Sequence, residues 1–462
     1  MPHVLVSAAH KSSGKTTVSI GLCAALNARD MHVQPFKKGP DYIDPMWLAS
    51  ASGHDCHNLD FFTMQHDEIQ RVFDRYSSNA EISLIEGNKG LYDGLDLDGS
   101  NSNAALATML GAPVILVLDA RGMTRGVAPL ILGYQAFDEN INIAGVILNK
   151  LGGSRHESKL RNVIEHYTDV PVIGAIHNHP DMAIVERHLG LVPSNESDSA
   201  RQHINNIRRH VDASVDLDRL IDIAGTAQQT VTANDTHVVS PIQDTPLRVG
   251  IARDAAFGFY YAGDLAAFRD AGVELVEFDT LHDPALPGNI DGLFIGGGFP
   301  ESSMRMLESN VSMRHSICTA IQDGLPTYAE CGGMMYLSRS LEWNNIKCDM
   351  AGVIPADTVM HDVPQGRGYV KIQETDGFPW PQTSKAPDLH QAHEFHYSSL
   401  DGFEADDDFR FAYDVKRGHG ITGKHDGIVY KNLLACYAHQ RHVESNPWVD
   451  RFIAFILQHK NS

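Results

Sequence analysis

The sequence has few cysteines, and their arrangement suggests neither a crosslink nor a metal site. The six cysteines lie far apart, and no two of them form a CxxC pair. This spacing is not typical of a disulfide framework or a zinc site, so we expect a reduced, cytoplasmic protein. Their positions are Cys23, Cys56, Cys318, Cys331, Cys348 and Cys436.

Positive charge and long apolar runs are also scarce. The 37 Lys and Arg residues face 58 Asp and Glu residues, which gives a net charge of −21 with neutral histidines. Such a surface repels phosphate backbones and anionic lipids, so we expect no nucleic-acid or membrane partner. No apolar run reaches the ~18–20 residues that span a bilayer. The apolar run Val4–Val6 also lacks the basic segment that precedes it in a secretory signal.

The length of 462 residues and the content of 43% hydrophobic and 21% charged residues predict a soluble globular chain of two or three domains. Short β-branched runs alternate with helical patterns such as Thr17–Asn27 and Ser158–His166, which indicates a doubly wound parallel sheet. The runs predicted as strands of this first domain are Val4–Ser7, Ile82–Ile85, Val114–Leu118, Ala144–Leu148 and Val172–Ile176.

A second α/β series follows a polar stretch. We expect a first domain over residues 1–225, a linker over 226–246 and a second domain over 247–462, since the linker has few large apolar residues. The runs predicted as strands of the second domain are Arg248–Ala252, Leu275–Phe278, Gly292–Ile295 and Thr327–Ala329.

The first strand leads into a phosphate-binding loop. A strand, a loop, Gly-Lys-Thr-Thr and an amphipathic helix form the P-loop pattern, although Ala9 stands where the pattern opens with Gly. Backbone N–H groups at the helix start would cradle phosphate, Lys15 would neutralise its charge, and the Thr16 hydroxyl would bind Mg²⁺. We therefore expect ATP to bind at Ser12, Ser13, Gly14, Lys15, Thr16 and Thr17.

Two further segments supply charged residues for such a site. In PFKKGPDYIDP, Asp41 and Asp44 lie between prolines, so we expect a loop that offers metal ligands, or otherwise a solvated turn. In LIEGNKGLYDG, Glu86 ends a buried strand at the edge where open α/β sheets bind ligands. Glu86 would be the second acidic group at the Mg²⁺, and Asp93 would contact substrate or metal, or only form a turn.

Asn149 ends a predicted strand in an Asn-Lys pair. Its amide suits hydrogen bonding to an adenine edge, but asparagine also commonly forms turns at such positions. Both roles stay open.

The second domain contains a candidate nucleophile. TYAECGGMMYL reads as strand, sharp turn and helix, with small residues flanking the turn, as a nucleophile elbow requires. Cys331 at a helix N-terminus is favoured as a thiolate. His439, after an apolar run, is the candidate base, and Gly297 and Gly298 are candidates for the oxyanion hole. Buried packing is the alternative role for a lone cysteine, and it is the one we expect for Cys23.

The chain has 25 histidines, and two groups of them invite a metal-site interpretation. His177 and His179, and likewise His390, His393 and His396, do not match a fixed His or Cys/His metal pattern. We expect surface or hydrogen-bonded core histidines.

Together these motifs resemble those of the cobyrinate a,c-diamide synthases, glutamine-dependent amidotransferases of cobalamin biosynthesis. The resemblance covers nearly the whole chain. It rests on the order AHKSSGKTT, PFKKGPDYIDP, LIEGNKGLYDG, ERHLGLVP, FIGGGFPE, YAECGGMMYL and HEFHYS. It implies an ATP-dependent synthetase domain similar to dethiobiotin synthetase, followed by a class I-like glutaminase domain.

The resemblance also implies roles for the candidate residues. Lys15, Thr16, Asp41 and Glu86 would hold Mg·ATP, Lys37 would stabilise the transferring phosphoryl group, and Tyr42, Asp44 and Asp93 would position the substrate. Cys331 would form a glutamyl thioester with help from His439, and ammonia would pass internally to the synthetase site. No Glu follows His439 two residues on, so the resemblance implies a Cys–His pair without the Glu of other class I enzymes. It is compatible with a homodimer.

Other substrates and functions remain open at this point. Relatives amidate sirohaem or a nickel tetrapyrrole, and the polar Asn88-Lys89 and Asn101–Asn103 are compatible with such a specialised substrate. A different possible function is that of a ParA/MinD-like ATPase switch, but such switches place Lys where His10 stands. Another is that of a ligase that uses only free ammonia.

Overall fold

The computed structural model describes residues 1–184, 186–187, 190–191, 193–196, 200–228, 246–382 and 389–460. Most of the expected linker 226–246, and residues 188, 189 and 192 of the segment ERHLGLVP, therefore lie outside the described residues. The chain divides into two compact units, Met1–Phe61 with Gln65–Asp235, and Phe62–Met64 with Thr236–Ser462. No helix within the described residues combines the length and apolar character needed to cross a bilayer.

The first unit is built on a seven-stranded parallel sheet with the strand order β3-β2-β4-β1-β5-β6-β7. Its strands are β1 His3–Ala8, β2 Val33–Lys38, β3 His57–Leu59, β4 Ile82–Glu86, β5 Val114–Asp119, β6 Ile143–Leu151 and β7 Val172–His177, followed by a two-stranded ribbon of β8 Glu186–Arg187 and β9 Gly190–Leu191. Its helices are α1 Lys15–Asn27, α2 Ile43–Ser52, α3 His66–Ser77, α4 Asn103–Leu110, α5 Val127–Phe137, α6 Ser154–Tyr167, α7 Ala200–Ser214 and α8 Leu217–Gly225.

The second unit contains a nine-stranded mixed sheet with the order β12-β10-β13-β15-β24-β23-β22-β19-β20, and a four-stranded sheet with the order β17-β16-β18-β21. Its strands are β10 Arg248–Ala252, β11 Phe257–Phe259, β12 Glu274–Phe278, β13 Gly292–Ile295, β14 Gly297–Gly298, β15 Thr327–Glu330, β16 Ser338–Trp343, β17 Ile346–Asp349, β18 Ile354–Met360, β19 Gly366–Glu374, β20 Leu389–His396, β21 Ser398–Asp401, β22 Phe409–Arg417, β23 His425–Tyr430 and β24 Leu433–Cys436. Its helices are α9 Ala262–Asp270, α10 Pro300–Ser309, α11 Val311–Gln322, α12 Gly332–Leu337 and α13 Trp448–Lys460.

Both large sheets are buried on two faces where the strands run parallel. All six residues of β1 are buried, as the continuous apolar run Val4–Val6 predicts. In the second unit, Leu293 and Ile295 of β13 pack into one apolar cluster, whereas Phe294 between them packs into the other. Side chains of successive strand residues point to opposite faces, so the two clusters lie on the two sides of this sheet.

The predicted α/β class is confirmed, and each predicted strand corresponds to a strand of the structure. One local expectation is wrong in part: residues 39–42 of PFKKGPDYIDP form a loop that includes Asp41, but the residues on either side belong to a strand and a helix. Lys37 and Lys38 end strand β2, and Asp44 lies in the first turn of helix α2. Pro45 does not disturb this helix, because an N–H in the first turn has no intrahelical partner in any case.

Candidate active site

The P-loop lies between β1, a central strand of the sheet, and helix α1. Gly14 adopts φ 83° at the start of the helix, a left-handed conformation that favours glycine. A Cβ atom there would also lie 2.2 Å from Nδ2 of Asn149. The Ser13 hydroxyl donates to the carbonyl of His10 at 2.8 Å and fixes the loop from within. Ser12 is exposed, and Thr17 lies in the first turn of α1.

Asn149 forms a hydrogen bond with the P-loop. Its Nδ2 donates to the carbonyl of Ser13 at 2.9 Å, and its Oδ1 accepts the N–H of Lys150 at 2.9 Å. Both ends of the buried amide therefore bond within the protein, which is the local role considered as the alternative to adenine binding. A contact between Asn149 and adenine stays a prediction.

Three neighbouring parallel strands bring the charged candidates together at one edge of the sheet. In the strand register, Glu86 at the end of β4 lies beside Val6 of β1 on one side and Lys37 of β2 on the other. Lys15 and Thr16 reach the same place from the start of α1. The Nζ atom of Lys15 lies 3.2 Å from Oε1 of Glu86, and the Thr16 hydroxyl donates to the same oxygen at 2.7 Å.

Lys37 lies among carboxylates and is 2% exposed. Its Nζ atom lies 2.5 Å from Oδ2 of Asp44, 3.0 Å from Oε1 of Glu86 and 3.8 Å from Oδ2 of Asp41. Burial alone would lower the pKa of Lys37, but these three carboxylates outweigh it and raise the pKa above its usual range. Lys37 therefore carries its charge at neutral pH.

The two aspartates of this site have different surroundings. Asp44 Oδ2 accepts a hydrogen bond from the Thr16 hydroxyl at 3.3 Å. Burial would raise the pKa of Asp44, but the nearby Lys37 and Lys15 lower it. Asp41 instead accepts the backbone N–H groups of Ile43 and Asp44 through Oδ1, at 2.9 and 3.2 Å, and so caps helix α2. The carboxylate beside Thr16 is Asp44, whereas Asp41 lies further out, so a contact of Asp41 with a metal ion stays a prediction.

The donor set of this site fits Mg²⁺. Hydroxyl and carboxylate oxygens are the ligands that this ion prefers, and it usually takes one or two carboxylates besides phosphate and water. Oε2 of Glu86 is buried and has no hydrogen-bond partner among the described residues, so it is available to a cation. Thr16, Asp44 and Glu86 are the residues that would hold it.

Asp93 and the polar residues near it have structural contacts. Asp93 is exposed, and its Oδ2 accepts the N–H of Gly90 at 2.9 Å, as in a turn. Asn103 is buried, donates to the carbonyl of Gly90 at 2.8 Å and accepts the N–H of Asn88 at 3.0 Å. The Asn103 side chain therefore holds the loop after β4, and the link between these polar residues and a specialised substrate stays a prediction. Tyr42 is buried directly before α2, and its substrate contact stays a prediction.

Cys331 occupies a sharp turn in the second unit. It follows β15, precedes α12 and adopts φ 45° and ψ −102°, a strained conformation for a residue with a side chain. Its N–H donates to the carbonyl of Cys436 at 2.7 Å, which fixes the turn to β24. Strain of this kind at the end of a strand is the signature of a nucleophile elbow.

Neighbouring atoms leave little room for a side chain at two glycines around Cys331. A Cβ atom on Gly332 would lie 2.9 Å from the backbone N of Gly298, and one on Gly297 would lie 2.6 Å from Cε1 of His439. Strands β13, β15 and β24 are neighbours, so Gly297 and Gly298, Cys331 and His439 each follow the carboxyl end of an adjacent strand. Their close approach is what an oxyanion hole beside a nucleophile requires.

His439 is buried and charged at neutral pH. Burial would lower its pKa, but a side-chain hydrogen bond with Cys331 and the proximity of Glu330 raise it to about 10. Nδ1 of His439 lies 3.4 Å from Oε2 of Glu330. The sequence does not predict this carboxylate, because Glu330 directly precedes the nucleophile instead of following the histidine as the Glu of other class I enzymes does.

The remaining candidates have ordinary surroundings. Cys23 is buried in α1, and burial raises its pKa, which agrees with a packing role. His390 pairs with Glu374 at 2.6 Å, and the ring of His396 stacks on Tyr437. His179 is a surface histidine, as expected, and its ligand atoms lie within 4.8 Å of those of Asp181 and His210. Asp181 and His179 are largely exposed.

Comparison with known proteins also divides the chain into two domains. Residues 3–184 match an AAA domain, and residues 248–447 match the CobB/CobQ-like glutamine amidotransferase domain. An ATP-using P-loop unit and a glutaminase unit on one chain define a glutamine-dependent amide ligase.

Three curated relatives resemble the whole chain, and each is named cobyrinate a,c-diamide synthase. The protein from Magnetococcus marinus is 44% identical over 100% of this chain and 98% of its own length. The one from Methanosarcina acetivorans is 40% identical over 95% and 92%, and the one from Dehalococcoides mccartyi strain 195 is 39% identical over 96% of both chains. The chain belongs to the cobyrinate a,c-diamide synthase family.

Proposed function

We propose that this protein amidates side-chain carboxylates of a tetrapyrrole, namely the a and c carboxylates of cobyrinate or its hydrogeno form, with ATP and glutamine. The observation that carries the proposal is the identity of 44% over the full chain with a relative of that name. The two sites support it, because each contains the residues of one half-reaction. In this proposal, residues 1–225 form the ATP-dependent synthetase domain, residues 247–462 form the glutamine amidotransferase domain, and residues 226–246 link them.

The synthetase half-reaction activates the carboxylate. A substrate carboxylate oxygen attacks the γ-phosphorus of ATP, giving an acyl phosphate and ADP. Ammonia then attacks the acyl carbon, and inorganic phosphate leaves. The P-loop N–H groups and Lys15 hold the phosphates, and Mg²⁺ neutralises their charge when it is bound. Lys37, charged and fixed by Asp44 and Glu86, stabilises the phosphoryl group as it transfers.

The glutaminase half-reaction supplies the ammonia. The Sγ atom of Cys331 attacks the carboxamide carbon of glutamine, and the developing oxyanion faces the backbone of Gly297 and Gly298. His439 gives its proton to the departing nitrogen, so that ammonia and a glutamyl thioester form. Water then hydrolyses the thioester to glutamate.

The experiment that tests the substrate is mass spectrometry after incubation with Mg·ATP and glutamine, with cobyrinate and sirohaem offered in parallel. The proposal expects two amidations of cobyrinate and none of sirohaem. Amidation of sirohaem alone would contradict it, and so would ATP hydrolysis without any amide product. Cys331→Ser is the matched control, since it should lose glutamine use and keep ammonia use.

The acyl phosphate has a separate test. If the substrate carboxylates carry ¹⁸O, one ¹⁸O atom should appear in each phosphate released, because the carboxylate oxygen bridges carbon and phosphorus before phosphate leaves. Phosphate without ¹⁸O would rule out this intermediate.

A further inference from the structure

Glu330 is the last residue of strand β15 and directly precedes the nucleophile. Its side chain is buried and 3% exposed, and Oε2 lies 3.4 Å from Nδ1 of His439. Glu330 lies within the motif YAECGGMMYL, but its spacing in the sequence does not connect it with His439, because the carboxylate reaches the histidine from a neighbouring strand.

The other carboxylate oxygen is held by two donors. The hydroxyl of Tyr328 donates to Oε1 of Glu330 at 2.5 Å, and the N–H of Gln440 donates to the same atom at 2.8 Å. Tyr328 and Glu330 are two residues apart on one strand, so their side chains share a face of the sheet. Gln440 directly follows His439. The same segment thus carries the histidine and fixes the carboxylate beside it.

We propose that Glu330 is the positioning residue of the glutaminase, which orients His439 and keeps its imidazole charged beside Cys331. This proposal rests on the proposed glutaminase reaction. Because Oε1 is bonded to Tyr328 and Gln440, Oε2 faces Nδ1 of His439, and Nε2 is then the nitrogen that serves the nucleophile. Orientation of a catalytic histidine by a buried carboxylate is the arrangement that other nucleophilic enzymes use.

The charge balance around His439 agrees with this role. The titratable groups that face it are Cys331, Glu330 and His393, whose backbone forms a bridge with that of His439. Burial and the charge of His439 lower the pKa of His393 to about 3, so His393 stays neutral and adds no charge. The side chains that raise the pKa of His439 are therefore Cys331 and Glu330.

The first test separates these two groups by NMR titration of His439 in the full-length Cys331→Ser protein. If Glu330 supports the charge, the pKa of His439 in that variant stays above its ordinary value of 6.5. A fall to 6.5 or below would overturn the proposal, since the thiol alone would then account for the charge. This test needs no substitution of Glu330 and no turnover, so its outcome is independent of whether the proposed reaction is right.

The second test is kinetic and uses Glu330→Gln, which keeps the size and the carbonyl acceptor for Gln440. We expect kcat for glutamine hydrolysis to fall by about 100-fold or more with little change in KM, as when the carboxylate of a catalytic triad is neutralised. Amidation with ammonium salts should be unchanged. A fall of less than about 3-fold, with an unchanged pH profile, would contradict the proposal.

Glu374→Gln is the matched control, because Glu374 also forms a buried pair with a histidine, His390 at 2.6 Å. It should leave kcat for glutamine hydrolysis and the titration of His439 unchanged. If Glu374→Gln lowers kcat for glutamine hydrolysis as much as Glu330→Gln does, then removing any buried carboxylate from this unit lowers kcat, and the proposal fails. If the unchanged protein releases no ammonia from glutamine, the proposed glutaminase reaction fails instead.

Discussion

The ammonium group of Lys37 donates a hydrogen bond to Oδ2 of Asp44 at 2.5 Å, across the first turn of helix α2. Glu86 holds the same ammonium group at 3.0 Å from the neighbouring strand. A strand end, a helix start and a second strand end are thus joined through one buried charge. This arrangement fixes Lys37 beside the Glu86 oxygen that Lys15 and Thr16 also reach.

Substitution of Lys37 should therefore destabilise the free protein as well as impair catalysis. Lys37→Met leaves Asp44 and Glu86 without their partner, and removal of one partner of a buried ion pair costs about 3–5 kcal/mol. The free energy of unfolding in urea measures this loss. The double variant Lys37→Met, Asp44→Asn should recover part of it, and a loss below about 1 kcal/mol would contradict the buried pairing.

Glu86→Gln should separate the two half-reactions. The amide keeps the shape of the side chain but removes the charge beside Lys15, Thr16 and Lys37. We expect ammonia-dependent amidation to fall by about 100-fold or more, because phosphoryl transfer depends on positioned charge. Glutamine hydrolysis without the other substrates should stay within about 2-fold. An equal loss of both activities would show that the substitution acts on the whole fold.

Gly332→Ala should abolish glutamine hydrolysis while leaving ammonia-dependent amidation intact. The added methyl group would lie 2.9 Å from the backbone N and O of Gly298, and backbone atoms cannot yield as a flexible side chain does. The candidate oxyanion hole would be displaced. Gly263→Ala in helix α9 is the control, since nothing lies within 4 Å of its Cβ position and activity should not change. Full activity of Gly332→Ala would contradict the packing described around Cys331.

The charge of His439 should make stability depend on pH in a defined direction. Its pKa is raised from 6.5 to about 10 in the folded chain, so the folded state binds the proton more tightly than the unfolded state. The resulting stabilisation is fully present below pH 6.5 and is lost as the pH rises through about 10. The difference in free energy of unfolding between this protein and its His439→Gln variant should shrink over that interval. A difference that grows with pH would contradict the assignment.

Features that depend on neighbouring residues of the chain could be predicted from the sequence. Contacts between residues that are far apart in the sequence could not. Continuous apolar runs such as Val4–Val6 and Gly292–Ile295 predicted buried strands, and the Gly14-Lys15-Thr16 pattern predicted the P-loop, because these signals are local. The pairing of Glu330 with His439 depends on strand β15 lying next to β24, which no local pattern encodes. The hydrogen bond from Asn149 to Ser13 likewise joins two residues that are far apart in the sequence.

Helix α2 shows a different kind of error. Two prolines and two aspartates suggested a loop, but Pro45 is tolerated in a first helical turn and Asp41 caps that turn. The residues that favour loops also favour helix starts, so local composition could not distinguish them.

The central claim is that the glutaminase site supplies ammonia to the ATP-dependent reaction. The most direct test is to label the side-chain nitrogen of glutamine and look for it in the amide product. The protein is incubated with Mg·ATP, cobyrinate, glutamine carrying ¹⁵N in its side-chain amide, and an excess of unlabelled ammonium at neutral pH. If Cys331 and His439 supply ammonia to the ATP-dependent reaction, the amide product carries ¹⁵N, and Cys331→Ser yields only unlabelled amide. Unlabelled product from the unchanged protein would show that glutamine is not the amide donor and would contradict the account.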